Sequence, residues 1–150
     1  MKTKIVYVTG NVLDAPQPMI IHQVNCQGVM GSGVAKAIKE SYPIVYQSYR
    51  WLYNQTENKE QLLGYCQFVD IDDNKTVVNL FSQFDYLPRT KRHTSYDAMV
   101  KGFERIKEVT DGDLAMPRIG CGLGGGDWHI VSAIIESVFD DRQIFVYDLE

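Results

Sequence analysis

Five glycines crowd the segment Met116-Pro117-Arg118-Ile119-Gly120-Cys121-Gly122-Leu123-Gly124-Gly125-Gly126-Asp127-Trp128, which opens within an apolar run from Leu114 to Ile119. Without a Cβ, glycine adopts positive φ and lets a ligand approach bare backbone. A strand that opens through such a loop onto a helix presents unpaired N–H groups and the positive end of the helix dipole. That chemistry suits a phosphate or diphosphate. A second loop of the same kind, Asn25-Cys26-Gln27-Gly28-Val29-Met30-Gly31-Ser32-Gly33, follows the apolar run Met19 to Val24. Held side by side, the two loops suit a ligand with two adjacent phosphates flanked by sugars. Neither ends in the Gly-Lys-Ser/Thr of a P-loop, and Thr9-Gly10-Asn11-Val12 lacks the glycine spacing of a dinucleotide fingerprint.

Three further positions are candidates for acid–base work, each with a structural alternative. His22 is a polar residue in an apolar strand, either a hydrogen-bonded core residue or an acid/base beside the ligand. Asp127 precedes the final helix, where it is either an N-cap or a catalytic carboxylate. Lys91, with Arg92 and His93, is either a solvated basic loop or a source of charge-assisted hydrogen bonds to a diphosphate. Cys26, Cys66 and Cys121 are odd in number and form no CxxC pair, which fits a reducing compartment and no structural zinc site. The cysteines of the loops read as packing.

These residues need elements to hold them. Lys4 to Val8 and Met19 to Val24 read as strands, and Val34, Ala37, Ile38 and Ser41 fall at helical spacing until Pro43. A second helix spans Ile44 to about Tyr53; its tyrosines (with Tyr42 and Trp51) read as packing rather than a base-stacking platform. Two strands, Tyr65 to Ile71 and Thr76 to Phe81, flank the turn Asp72-Asp73-Asn74-Lys75. After a loop carrying Arg89 and Lys91, a helix from Ser95, the strand Leu114 to Met116, a helix from Trp128 and the strand Ile144 to Tyr147 complete the order. Alternating strands and helices predict an α/β domain, a mixed or parallel sheet with helices on both faces. Both glycine loops then fall at the carboxyl ends of strands, where ligands bind in such sheets.

Composition bounds the rest. The 150 residues are 45% hydrophobic and 23% charged, the profile of one compact domain. A formal charge of -4 argues against a general nucleic-acid coat but not against a small anion held by N–H groups. The charged amino terminus is unlike a signal peptide, and no apolar run reaches bilayer-spanning length, so the cytoplasm is the expected location.

Taken together, Thr9-Gly10-Asn11-Val12, Ile20-Ile21-His22-Gln23-Val24-Asn25-Cys26, Met30-Gly31-Ser32-Gly33-Val34-Ala35, and Ile119 to Gly125 with Trp128 resemble a macrodomain. The resemblance covers the chain in order to Phe145-Val146-Tyr147. It implies a three-layer α/β/α fold with a mixed central sheet, one macrodomain over residues 1–150, binding ADP-ribose without a cofactor. By position, Gly10, Asn11 and Val12 would line the adenine end, where many macrodomains carry an aspartate. Asn25 would face the distal ribose, with Gln23 and Val24 before it. The diphosphate and that ribose would be clasped by Met30, Gly31, Ser32, Gly33, Val34 and Ala35 on one side. Ile119, Gly120, Cys121, Gly122, Leu123, Gly124 and Gly125 would close the other.

Asn25 is followed by Cys26-Gln27-Gly28 rather than the second asparagine of the protein-deacylating type. The pattern is more similar to the subgroup with the fungal ADP-ribose 1″-phosphate phosphatase, the terminal ADP-ribose glycohydrolase and the antitoxin that strips ADP-ribose from DNA. The glycohydrolase uses a lysine and an aspartate directly after Gly-Cys-Gly-Leu. This chain has Gly124 there, with Asp127 three residues on and Lys91 matching the lysine. The resemblance thus implies a hydrolase acting at C1″ of ADP-ribose, the phosphatase ahead of the glycohydrolase because that aspartate is missing. A non-enzymatic ADP-ribose reader is the alternative. The expected partners are ADP-ribose, its 1″-phosphate, or ADP-ribosylated protein or DNA, with no membrane and no implied oligomer.

Overall fold

The structure, a computed structural model, describes residues 4–149. Met1 to Thr3, on which the reading of a charged amino terminus partly rests, lie outside the described residues. The strands are β1 (Lys4–Thr9), β2 (Met19–Val24), β3 (Cys66–Asp72), β4 (Lys75–Phe81), β5 (Leu114–Met116) and β6 (Gln143–Asp148). The helices are α1 (Gly33–Ser41), α2 (Pro43–Gln55), α3 (Tyr96–Val109) and α4 (Trp128–Val138). The sheet runs β1-β6-β5-β2-β4-β3, parallel except for β3, which pairs antiparallel with β4.

The inner strands bury consecutive residues because both faces are covered, the habit of parallel sheets. Ile20, Val24, Val77 and Phe81 pack with Ile38, Val45 and Tyr49 from α1 and α2. Ile21, Val78, Leu80 and Met116 pack with Phe103, Ile106, Val131 and Ile135 from α3 and α4. Two hydrophobic layers therefore sandwich one sheet, the expected α/β/α arrangement. Pro43 both ends α1 and occupies the first position of α2, where its fixed φ is already helical and its missing N–H is not needed. The second helix is accordingly longer at both ends than its apolar spacing predicts.

One topological feature positions the site. β2 leads to α1 on one face of the sheet, while the neighbouring β5 leads to α4 on the other. The loops leaving their carboxyl ends diverge, and a crevice opens between them. Among the described residues no helix is long and apolar enough to cross a membrane.

Candidate ligand-binding site

The crevice is a cavity of about 380 Å³ between the two glycine loops. Its floor is the end of β2, His22 to Asn25; one wall is Gly31 to Ala35 with Val29, and the other is Pro117 to Gly120 with Gly122 to Gly124. Gln83, Tyr86 and Arg89 complete the lining.

The first wall is the amino end of α1. Ser32 occupies the N-cap, yet its side chain makes no capping hydrogen bond, and the first turn holds no acidic residue. The N–H groups of Gly33, Val34 and Ala35 therefore lack intrahelical acceptors while the dipole places about half a positive charge there. Gly33 has φ +61, and a Cβ there would meet nothing within 4 Å, so glycine is required by conformation rather than by space. The contrast is α4, whose amino end is occupied: Asp127 Oδ1 accepts from the His129 N–H at 2.9 Å.

Asn25 shapes the loop leading into that wall. Its Oδ1 accepts from the N–H of Gln27 at 3.0 Å and of Val29 at 3.4 Å, and its Nδ2 donates to the Val29 carbonyl at 2.8 Å. The Tyr49 hydroxyl lies 2.8 Å from both Asn25 O and Asn25 Oδ1. Tyr49 is wholly buried, and burial pushes its phenol well above the usual tyrosine range, so it serves only as a neutral donor. Its role is one that the reading of the tyrosines as packing misses; the available signal was a core-facing hydroxyl that needs a partner. Asn25 is left with one Nδ2–H for a ligand.

The second wall is clamped from behind. Gln23 Oε1 accepts from Ser82 Oγ at 2.5 Å, and Gln23 Nε2 donates to Gln83 Oε1 at 2.8 Å and Thr94 Oγ1 at 3.0 Å. Thr94 Oγ1 in turn donates to the Gly120 carbonyl at 2.7 Å, while the N–H groups of His93 and Thr94 donate to the Gly124 carbonyl. This junction fills the space behind Gly124. A Cβ there would stand 2.5 Å from Thr94 Oγ1 and 2.7 Å from Gln23 Nε2. The place where the resemblance expects an aspartate has no room for one in this chain.

Comparison with known proteins bears on the same segments, for the Macro domain family model matches residues 21–135, from β2 into α4. The chain belongs to the Macro domain family. The bovine (Bos taurus) ADP-ribose glycohydrolase OARD1 is 32% identical over 158 residues, covering 98% of this chain and 93% of that protein. The DNA ADP-ribosyl glycohydrolase of Mycobacterium tuberculosis is 28% identical over 138 residues, covering 90% of this chain but 38% of that protein. This chain thus spans well under half the length of the mycobacterial relative. Among solved structures, the macrodomain of Mycobacterium tuberculosis DarG superposes with a TM-score of 0.80 at 27% identity, covering 97% of each chain.

This macro domain does not gather its three candidate acid–base residues. His22 reaches the cavity floor at 1% exposure, with Nε2 2.5 Å from Asn79 Oδ1. Burial lowers its pKa to about 4 against the opposing pull of the Asn79 hydrogen bond, so the ring is neutral at physiological pH. Asp127 is exposed and serves as the N-cap of α4, with its own N–H donating to Tyr96 Oη at 3.0 Å. Lys91 is exposed and does not line the cavity; the cation of that loop that does is Arg89. Arg118 also lines it, but Asp148 holds its guanidinium through contacts of 2.8 and 3.1 Å. Among the described residues no aspartate, glutamate or lysine stands in the lining.

Other expected binding residues lie around the cavity rather than in its wall. Gly10, Asn11 and Val12 follow the carboxyl end of β1, at the same sheet edge, where Asn11 Oδ1 accepts from the Leu13 N–H at 3.0 Å. Met30 is buried in the layer beneath α1 and α2, and Gly125 backs onto Arg92. Cys121 turns its Sγ toward the Ile119 carbonyl, and burial raises its thiol to about 11 and that of Cys26 to about 12. Both remain protonated and unreactive at neutral pH.

Proposed function

We propose that this macro domain is one ADP-ribose-binding unit that removes by hydrolysis the group carried at C1″ of the distal ribose, phosphate or macromolecule. The observation that carries the reading is the acid-free, side-chain-uncapped amino end of α1 facing the clamped glycine loop across one cavity. The diphosphate rests on the N–H groups of Gly33, Val34 and Ala35 and on those of Gly120, Gly122, Leu123 and Gly124, with Arg89 adding a cation. The free Nδ2–H of Asn25 orients the distal ribose, and Gly10, Asn11 and Val12 extend the site toward the adenine. The full-length similarity to a protein named as an ADP-ribose glycohydrolase supports the reaction class.

In the reaction a water oxygen adds at C1″, or at phosphorus when the group is phosphate. The bond to the leaving oxygen breaks, and that oxygen takes up the proton the water gives up. N–H groups fixed before the reaction stabilise the charge that develops, a contribution of several kcal/mol in comparable sites. Asp127 and Lys91 lie outside the cavity lining, where they would meet the attached macromolecule rather than the ribose. Three free thiols fit the reducing cytoplasm as its location.

The absence of a carboxylate or lysine from the lining favours a second reading, a reader that binds ADP-ribose without cleaving it. The test offers the purified protein ADP-ribose 1″-phosphate, ester-linked ADP-ribosyl protein and ADP-ribosylated DNA, with binding of ADP-ribose followed by calorimetry. Release of inorganic phosphate from the first, or of free ADP-ribose from either of the others, is expected. Binding without turnover of any of the three would establish the reader, and no binding at millimolar ADP-ribose would overturn both readings.

A further inference from the structure

The cavity floor carries a buried polar chain that the binding reading leaves unused. His22 on β2 stands in register with Asn79 on β4, and Asn79 with Gln67 on β3. Three polar side chains thus cross three adjacent strands inside an otherwise apolar layer beneath α2. The contacts are His22 Nε2 to Asn79 Oδ1 at 2.5 Å, Asn79 Nδ2 to Gln67 Oε1 at 3.0 Å, and Gln67 Nε2 to the Ser48 carbonyl at 2.8 Å.

The far end of this chain fixes its direction. A backbone carbonyl only accepts, so the Gln67 atom facing Ser48 is its amide nitrogen. Gln67 therefore turns its oxygen to Asn79, which must answer with its own amide nitrogen. Asn79 Nδ2 also faces the Val45 carbonyl at 3.5 Å, a weaker contact that favours the same orientation. The Asn79 oxygen is left for His22, and an amide oxygen requires a donor, so Nε2 carries the imidazole proton. A neutral ring has one N–H, and Nδ1 is a bare lone pair. Among the described residues that buried atom has no hydrogen-bond partner, and His22 is one of the residues lining the cavity. An acceptor left unmade in this way destabilises the fold unless a ligand supplies the donor.

We propose that Gln67 and Asn79 are positioning residues that hold His22 in its Nε2–H form, so that Nδ1 accepts a hydrogen bond from a ribose hydroxyl of the ligand. The inference rests on the ADP-ribose reading of the cavity. It also gives the ligand a direction. A phosphate oxygen carries no proton at neutral pH and would set lone pair against lone pair at Nδ1. The floor takes the sugar, and the diphosphate goes to the N–H groups of α1.

The experiment is NMR on protein carrying ¹⁵N-labelled histidine, with the His22 signals assigned by their loss in His22→Gln. Free protein at neutral pH should show Nε2 protonated and Nδ1 bare, and adding ADP-ribose should shift Nδ1 while leaving the Nε2 proton in place. Gln67→Leu, at a half-buried site, should let Asn79 turn over and mix the two tautomers. It should also weaken ADP-ribose binding by about tenfold, the loss of one hydrogen bond. A protonated Nδ1 in the free protein, or an Nδ1 signal unmoved by bound ADP-ribose, overturns the proposal. A wild type that binds no ADP-ribose in calorimetry overturns the ligand assignment beneath it, and the free-protein spectrum tells the two failures apart.

Discussion

Replacing Gly124 with alanine adds one methyl group, and the structure states what that methyl would meet. Its carbon would lie 2.5 Å from Thr94 Oγ1, 2.7 Å from Gln23 Nε2 and 3.0 Å from the Gly120 carbonyl oxygen, where ordinary contact begins at 3.4 Å. None of these atoms is the free end of a flexible chain. Thr94 Oγ1 is engaged at 2.7 and 3.0 Å, and Gln23 is also held at its other end by Ser82. Relief breaks two hydrogen bonds at about 1 kcal/mol each, and the overpacking adds about 1–3 kcal/mol. Alanine returns about 0.4–1 kcal/mol by stiffening the unfolded chain. The net expectation is a loss of about 3 kcal/mol, a large part of the stability of a domain this size. Urea unfolding at pH 7 measures it, with ADP-ribose calorimetry in parallel because the clamped loop is a cavity wall. Thr94→Ala removes the nearest obstruction, so the double variant should lose at least about 1 kcal/mol less than the two single losses together. A Gly124→Ala protein within about 0.5 kcal/mol of wild type, or strict additivity with Thr94→Ala, would refute the argument. The same crowding means that Gly124→Asp, which restores the aspartate expected from the glycohydrolases, should destabilise this chain rather than activate it.

Two further expectations follow from the site. His22 is neutral in the fold, with its pKa lowered from 6.5 to about 4, so the unfolded chain binds more protons between those values. Stability should fall as pH drops through 6.5 and level off below about 4, by about 3 kcal/mol at 1.36 kcal/mol per pKa unit. His22→Gln, which keeps a partner for Asn79, should lack this component in urea unfolding between pH 7 and 4; parallel curves for the two proteins would contradict it. Ser32→Asp supplies the missing side-chain cap of α1 and should stabilise the protein by about 1 kcal/mol. The same carboxylate faces the diphosphate, so ADP-ribose affinity should fall about tenfold or more, and unchanged affinity would remove the anion from that helix end.

The elements were legible because their signals are local. Met19–Val24 and Leu114–Met116 are apolar runs bounded by proline, asparagine or aspartate, and they fold as the strands read from them. The glycine loops follow those strands directly, so their place at the carboxyl edge of the sheet could be read from order alone. Asp127 is ambiguous by position, since an aspartate before a helix is a favoured cap whether or not it also does chemistry, and the structure shows it making that capping bond.

What the sequence by itself determined is an α/β/α sandwich with two bare-backbone loops on one edge, because periodicity and glycine spacing act over a few residues. Tertiary structure alone decided which side chains those loops meet. It brings Arg89 rather than Lys91 to the cavity, closes the space behind Gly124 with Gln23 and Thr94, and turns His22 toward Asn79. These partners lie 71 residues apart for Gln23 and Thr94 and 57 for His22 and Asn79. Contacts at such separations are set by which strands become neighbours in the sheet, and no local pattern in the chain encodes that adjacency.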